Sequence, residues 1–221
     1  MNRRRAFIAL LCAGFTGLSG CTPLRVVTHS VNPTEAAVPA GHYTLDPHHW
    51  SVVFDVDHLH YMRFVMRFDR ATAQLDWRTH ALEDATVQVD IDAASLNTNV
   101  SALDSMVKGP KMLDTERNAQ IRFVSTRFER TGEVNGKLTG KLTGNLTIRG
   151  ATQPVTLDVT FNGYAPNPLT KQPTLGFSAH GTFNRSAFGL TTWYPAVGDA
   201  IDVRIEAEFE QQPPAGAAAA E

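Results

Sequence analysis

Histidine residues are the clearest candidates for chemistry in this chain. His58 and His60 are separated by one residue and share the parity of the apolar residues Trp50, Val52 and Phe54, so on an extended strand both would point inward. Two histidines so placed can bind one Zn²⁺, and a third ligand would complete an open, hydrolytic site. The sequence offers no obvious third ligand. We therefore expect hydrogen-bonded histidines at a strand end and no metal site, with a metal-dependent hydrolytic enzyme using the His58 and His60 face as an alternative.

Other catalytic groups are weakly represented. No Gly-x-Ser-x-Gly sequence marks a hydrolase nucleophile. The two cysteines, Cys12 and Cys21, both lie near the N-terminus, so the remaining chain has no thiol for a disulfide, a nucleophile or a metal. We predict no catalytic residues and a protein that is not an enzyme.

The N-terminus has the features of a bacterial lipoprotein signal. Arg3 to Arg5 are followed by an apolar stretch too short to span a membrane, and Leu18-Ser19-Gly20-Cys21 resembles the lipobox. This resemblance implies a signal peptide over 1–20 and acyl chains on Cys21 that anchor the protein to a membrane. Thr22, in place of the aspartate linked to inner-membrane retention, favours the outer membrane. We expect a protein on the periplasmic side of the cell envelope; the export route stays open.

The segments on either side of the main domain lack periodicity. Residues 21–41 contain three prolines and are expected to form a flexible tether, and residues 211–221 are expected to be a disordered tail. Removing residues 1–20 takes away three arginines and no acidic residue, which lowers the formal net charge from −2 to −5. A negative chain of this kind does not favour nucleic acid as a partner.

Alternation of apolar and polar residues dominates the region from 42 to 210. In the stretch from Lys137 to Arg149, leucines and isoleucine occupy even positions, while threonine, asparagine and basic residues occupy odd ones. This is typical of a strand with one apolar face and one polar face. The same parity recurs in at least six other runs, so we predict an all-β domain of antiparallel strands closed around an apolar interior. Residues 95–117 break the pattern, have apolar residues at helical spacing, and predict one helical insert that plugs or gates an open end.

The apolar positions of these strands supply candidates for contact with a ligand. Aromatic and aliphatic side chains give a flexible alkyl chain adaptable contacts without polar cost, and twelve phenylalanines and five methionines fit this use. The alternative is a solid core filled by the protein's own side chains. The candidate ligand-binding residues are Trp50, Phe54, Phe64, Phe68, Phe123, Leu142, Leu146, Phe177, Phe183, Phe188 and Trp193.

Several motifs together resemble the YceI-like polyisoprenoid-binding family. They run in order through the region from 42 to 210: Tyr43-Thr44-Leu45-Asp46-Pro47-His48-His49-Trp50-Ser51, Ala94-Ser95-Leu96-Asn97-Thr98, Ile121-Arg122-Phe123-Val124-Ser125, Gly144-Asn145-Leu146-Thr147-Ile148-Arg149-Gly150, and Asn184-Arg185-Ser186-Ala187-Phe188-Gly189. The chain departs from the family pattern at Met66-Arg67-Phe68 and at Leu103-Asp104-Ser105-Met106-Val107, where Asp104 lacks its usual arginine and histidine neighbours.

The resemblance implies a lipocalin-like antiparallel barrel of about eight strands, which holds an isoprenoid such as a quinone or polyprenyl chain. On this interpretation His49, His58, Asp104 and Arg185 are candidates for the mouth or for contact with a polar head group, and Arg185 has the alternative role of pairing with Asp46 or Asp104 to lock the loops. No cofactor other than such a lipid is expected. A homodimer in which two barrels share one long chain stays open, as does a filled barrel acting as an envelope scaffold or stress protein.

Overall fold

Ten antiparallel strands make up most of the described part of the chain. The computed structural model describes residues 24–213. Short helices α1 (Leu24–Val27) and α2 (Ser101–Lys108) accompany the strands. The strands are β1 (Gly41–His58), β2 (Met62–Phe68), β3 (Ala71–Trp77), β4 (Thr86–Asp92), β5 (Leu96–Asn97), β6 (Gln120–Val134), β7 (Lys137–Ile148), β8 (Ala151–Pro166), β9 (Pro173–Asn184) and β10 (Val197–Gln211).

Eight of these strands close into a barrel. The order around the ring is β1, β10, β9, β8, β7, β6, β4 and β3, and β3 returns to β1. Strand β2 pairs with the second half of β1 and carries the two-residue strand β5 on its other side. The prediction of an all-β antiparallel barrel of about eight strands with one helical insert is confirmed, and the barrel bounds differ from the predicted 42–210 by one residue at each end.

The two ends of the barrel are built from different segments. Strand β1 begins beside the last residues of β10 and ends at His58, which pairs with Val197 at the start of β10. The β1–β2 turn at 59–61, helix α2 with its flanking loops, the turn at 149–150 and the loop 185–196 therefore lie at one end, which we call the helical end. The segment before β1 and the turns at 78–85, 135–136 and 167–172 lie at the opposite, N-terminal end.

Glycines in β7 make room for aromatic rings from β6. The repeated Lys-Leu-Thr-Gly of residues 137–144 places Gly140 and Gly144 on the inward face, between leucines. A Cβ atom on Gly140 would lie 2.2 Å from Cζ of Phe128, and one on Gly144 would lie 2.3 Å from Cζ of Phe123. The two phenyl rings thus pack directly on the backbone of the two glycines, in the inner wall of the barrel.

Replacing Gly140 by alanine should destabilise the barrel. The new methyl group overlaps both the Phe128 ring and the Glu129 carbonyl, so the free energy of unfolding should fall by about 1–3 kcal/mol, as for other overpacked interiors. Denaturant unfolding of Gly140→Ala measures this loss. In a Phe128→Leu background the ring is gone, and the same substitution should cost clearly less; an equal cost in both backgrounds would contradict the proposed overlap.

The helical insert is held by a local polar network. Thr98 is buried, and its backbone N–H donates to Oδ1 of Asp104 at 2.7 Å. The Thr98 hydroxyl lies 2.6 Å from the same oxygen and accepts a hydrogen bond from the N–H of Val100, the residue that caps α2. These hydrogen bonds hold the pKa of Asp104 below its ordinary value. Asp104 therefore fastens the start of the helix to the preceding loop.

The segment before β1 packs on the N-terminal end of the barrel. Asn32 forms a two-residue bridge with Tyr164, Val38 is fully buried, and Glu35 accepts a hydrogen bond from the N–H of Leu82 at 2.9 Å and pairs with Arg130. The prediction of a flexible tether over 21–41 is therefore wrong for residues 32–38, because burial and the hydrogen bond and ion pair of Glu35 hold them in place.

The predicted tail begins later than expected, since Gln211 belongs to β10. The predicted signal peptide, Cys21 and the chain beyond 213 lie outside the described residues. Within residues 24–213, no helix is both long enough and apolar enough to cross a bilayer.

Candidate ligand-binding cavity

The barrel encloses an apolar cavity of about 700 Å³. This volume falls within the range of roughly 300–1,000 Å³ that is common for small-molecule sites. All but a few of the lining residues are apolar; the polar exceptions are Ser51, His58, Thr86, Arg185 and Glu206. A barrel filled by its own side chains would leave no such space, so the alternative of a solid core is wrong.

The N-terminal end of the cavity is closed by aromatic rings. The ring of Phe177 lines the cavity, and its centroid lies 5.4 Å from that of Phe161 and 6.0 Å from that of Phe209. Phe161 in turn packs on Trp77 at 5.8 Å, and both of these residues are buried. These stacked aromatic rings form the floor of the cavity.

The mouth of the cavity lies at the helical end. Apart from Glu206, whose side chain belongs to the outer face of β10, the exposed lining residues are Leu59, Met106, Trp193 and Ala196. They come from the β1–β2 turn, helix α2 and the loop 185–196, three segments that all belong to this end. Tyr61, Met62 and Tyr194, which are also exposed, extend the apolar rim around the opening. The helical insert therefore forms part of the rim, where Leu103, Val107 and Met106 contact the cavity.

The predicted ligand-binding residues lie around this cavity with one exception. The residues that line it are Trp50, Phe54, Phe64, Phe68, Phe123, Leu142, Leu146, Phe177, Phe183 and Trp193. Phe188 does not: it is buried behind Phe183, with the two ring centroids 5.6 Å apart. The chain has left β9 at Arg185 and forms a 3₁₀ turn there, so strand alternation no longer decides the direction of the side chain. That these residues contact a ligand stays a prediction.

The predicted head-group residues are dispersed. His58 lines the cavity near the mouth, with its ring 6.1 Å from that of Phe64. Asp104 lies on the helix that forms part of the rim, but it accepts hydrogen bonds from Thr98 and does not line the cavity, so its contact with a head group stays a prediction. His49 lies on the outer wall and bonds Asp46, because β1 bulges at this point.

Arg185 is buried and satisfied by backbone carbonyls. Its Nε donates to Gly198 at 2.7 Å, Nη1 donates to Leu190 and Thr192, and Nη2 donates to Val197 at 2.9 Å. Burial lowers the pKa of Arg185, although Asp199 opposes this effect. The side chain pairs with neither Asp46 nor Asp104. These hydrogen bonds connect the loop 185–196 to the start of β10. Arg185 also lines the cavity.

The two histidines that an alternative zinc site would use do not share a face. Strand β1 ends at His58, and His60 lies in the following turn at a positive φ of 59°. The side chain of His60 is 88% exposed, and its Nδ1 lies 2.9 Å from Asp57. The alternation that would have placed both histidines inward does not extend past the strand end. The alternative of a hydrolytic metal site on His58 and His60 loses its basis.

The sequence analysis did not identify two sets of residues: part of the cavity wall and a cluster of acidic and histidine side chains. Strand β10 contributes Ile201, Val203 and Ile205 to the cavity wall; their alternation was visible, but it did not distinguish them from other inward residues. The proximity of Asp46 and His49 to Glu208 was invisible, because Glu208 lies at the far end of the barrel domain and only the pairing of β1 with β10 brings them together.

Fold and cavity together define a class: a closed antiparallel barrel that encloses an apolar site open at one end. The barrel supports lipid binding in general. Residues 43–209 match the family description "YceI-like domain", and the chain belongs to this family.

Known relatives agree with this assignment. A UPF0312 protein of Pseudomonas putida strain W619 is 31% identical over 175 residues, which cover 78% of this chain and 88% of the relative. The crystal structure of the Campylobacter jejuni YCEI protein has a TM-score of 0.62 and 25% identity, and the match covers 71% of this chain and 90% of that one. A polyisoprenoid-binding domain from Saccharophagus degradans has the same fold, with a TM-score of 0.61 and 10% identity over 79% of this chain and all of that one.

Proposed function

We propose that this protein binds one long-chain amphiphile of the isoprenoid type, such as a quinone or a polyprenyl lipid, for carriage or sequestration in the periplasm. The apolar cavity, with its rim of exposed apolar residues at the helical end, is the observation that carries the proposal. Each buried methylene contributes on the order of 0.8 kcal/mol, so a prenyl tail needs few polar contacts for tight binding. The description of the Saccharophagus relative as polyisoprenoid-binding supports the same ligand class.

The polar residues of the cavity suggest how such a ligand lies. The aromatic floor around Phe177 suits the end of an alkyl tail, whereas His58 near the mouth can donate a hydrogen bond to, or accept one from, a head group. Arg185 uses four of its five N–H donors on carbonyls and has one left on Nη2. A ligand with an oxygen acceptor in its head group therefore fits with its head toward the helical end.

Co-purification tests the ligand class directly. The protein is purified without detergent, analysed by native mass spectrometry, and extracted with organic solvent to identify what it carries. One quinone or polyprenyl molecule per barrel is the expected result. A protein that arrives empty and also fails to take up added isoprenoids would contradict the proposal.

Membrane attachment through Cys21 is part of the proposal and has its own test. Substituting Cys21→Ser should abolish incorporation of labelled palmitate and should release the protein from the membrane fraction, because the acceptor thiol is lost. Cys12→Ser is the matched control, and it should leave acylation and fractionation unchanged. Acylation that survives in Cys21→Ser would contradict the anchor. Density-gradient separation of inner and outer membranes tests the proposed outer-membrane location.

A further inference from the structure

A polar groove of about 530 Å³ lies on the outer wall, toward the N-terminal end of the barrel. It forms where β1 bulges: Leu45 pairs with Phe209 and Trp50 with Ala207, so the four residues from Asp46 to His49 stand opposite the single residue Glu208. A bulge of this size redirects side chains that would otherwise alternate along the strand. Its effect here is to bring side chains of β1 and β10 together over the groove.

Asp46, His49 and Glu208 each place one metal-binding atom within 4.8 Å of the others. The Asp46 carboxylate is almost fully buried, with 7% of its side chain exposed. Its Oδ1 accepts the N–H of His48, and its Oδ2 lies 2.7 Å from Nδ1 of His49. The side chain of Glu208 makes no hydrogen bond or ion pair with any residue between 24 and 213, so its carboxylate is available.

The negative charge of the glutamates that line the groove is not balanced by basic side chains in its lining. Glu206, Glu208 and Glu210 alternate along the outer face of β10, and Glu206 and Glu208 line the groove together with His29 and His48. No lysine or arginine of the described chain lines it. A carboxylate cluster without a basic partner attracts a cation, and imidazole nitrogen beside carboxylate oxygen favours a transition metal over Ca²⁺ or Mg²⁺, which prefer oxygen ligands alone.

We propose that Asp46, His49 and Glu208 form a binding site for a divalent transition metal, with Zn²⁺ as the representative ion. Two ligand atoms 2.7 Å apart can both reach an ion at about 2.1 Å, so the ion replaces the proton that now joins Asp46 to His49. Water or His48, which borders the same groove, completes the coordination. The site lies outside the lipid cavity and does not depend on the proposed function.

Metal binding to the purified full chain, freed of any polyhistidine tag, tests this site. Equilibrium dialysis against Zn²⁺ followed by elemental analysis should give one ion per chain. Because the ion binds only the folded protein, the melting temperature should rise by about 5–10 °C when free Zn²⁺ is a hundred times the dissociation constant. Co²⁺ in place of Zn²⁺ should show visible absorption bands that report its ligands.

Variants distinguish this site from unspecific binding to surface histidines and acids. His49→Ala and Glu208→Gln should each weaken Zn²⁺ binding at least tenfold and abolish the thermal shift. Glu133→Gln, an exposed carboxylate on β6, and His180→Ala, an exposed histidine on β9, are the controls and should bind as the unmodified chain does. A site that keeps its affinity in both His49→Ala and Glu208→Gln, or one equally weakened by the controls, would overturn the proposal. So would a chain that binds no stoichiometric Zn²⁺.

Discussion

Substituting Phe177→Glu is expected to abolish uptake of an isoprenoid by the barrel. The new carboxylate would lie at the aromatic floor of the cavity, beside Phe161 and Phe209. A ligand tail that covers this charge removes it from water with no partner to compensate, which costs several kcal/mol. We expect the affinity for a fluorescent polyprenyl or quinone probe to fall more than about 100-fold, which corresponds to about 2.7 kcal/mol.

Control variants separate loss of binding from loss of folding. His180→Glu puts the same charge on the same strand but on the outer face, where 70% of the histidine side chain is exposed, and it should bind the probe normally. Ala179→Phe fills the cavity with an apolar ring instead of a charge and should also reduce uptake. If a folded Phe177→Glu protein binds as tightly as the original, the ligand does not occupy this cavity.

Removing Arg185 should produce the largest loss of stability of any single substitution considered. Arg185→Ala leaves the carbonyls of Leu190, Thr192, Val197 and Gly198 without their donor, and it opens a space behind the loop 185–196. Each buried acceptor that loses its donor costs about 1–3 kcal/mol, so the four carbonyls together should cost at least about 4 kcal/mol. For a chain of this size the melting temperature should fall by about 10 °C or more.

A lysine at this position should restore little of the stability that Arg185→Ala loses. Arg185→Lys keeps the charge, but an ammonium group cannot reach four carbonyls in the directions of a planar fork. Arg117→Ala is the control: that side chain is 82% exposed, and its loss should change the free energy of unfolding by less than about 0.5 kcal/mol. Thermal and denaturant unfolding measure all three variants. Unchanged stability in Arg185→Ala, with reduced lipid affinity, would instead assign Arg185 to the ligand.

Alternation along the strands made the barrel and most of its lining predictable. Leu142 and Leu146 illustrate this, because a period of two on β7 fixes which face is apolar whatever the partner strand is. The rule fails where the chain leaves the strand. His60 lies in a turn, Phe188 lies in a 3₁₀ turn, and Asp104 lies on a helix, so parity carried no information about any of the three.

Contacts that side chains make with backbone atoms could not be predicted from the sequence either. The acceptors of Arg185 are carbonyls of a loop, and every residue type has a carbonyl, so no sequence pattern marks them. The burial of Val38 and the pairing of Asn32 with Tyr164 depend on a bend of the chain that proline content did not predict. The groove at Asp46 depends on the register between the first and last strands, which local sequence does not encode.

The bridge between Asn32 and Tyr164 has a consequence for the orientation of the barrel under the proposed anchor at Cys21. It fixes the incoming chain near the end of the barrel opposite the mouth. The chain from Cys21 to Asn32 reaches at most about 38 Å, whereas a strand as long as β1, tilted as in small barrels, rises about 45 Å. Under the proposed acylation of Cys21, the opening would therefore face away from the anchoring membrane. A ligand would then enter and leave the barrel on the side opposite the anchor.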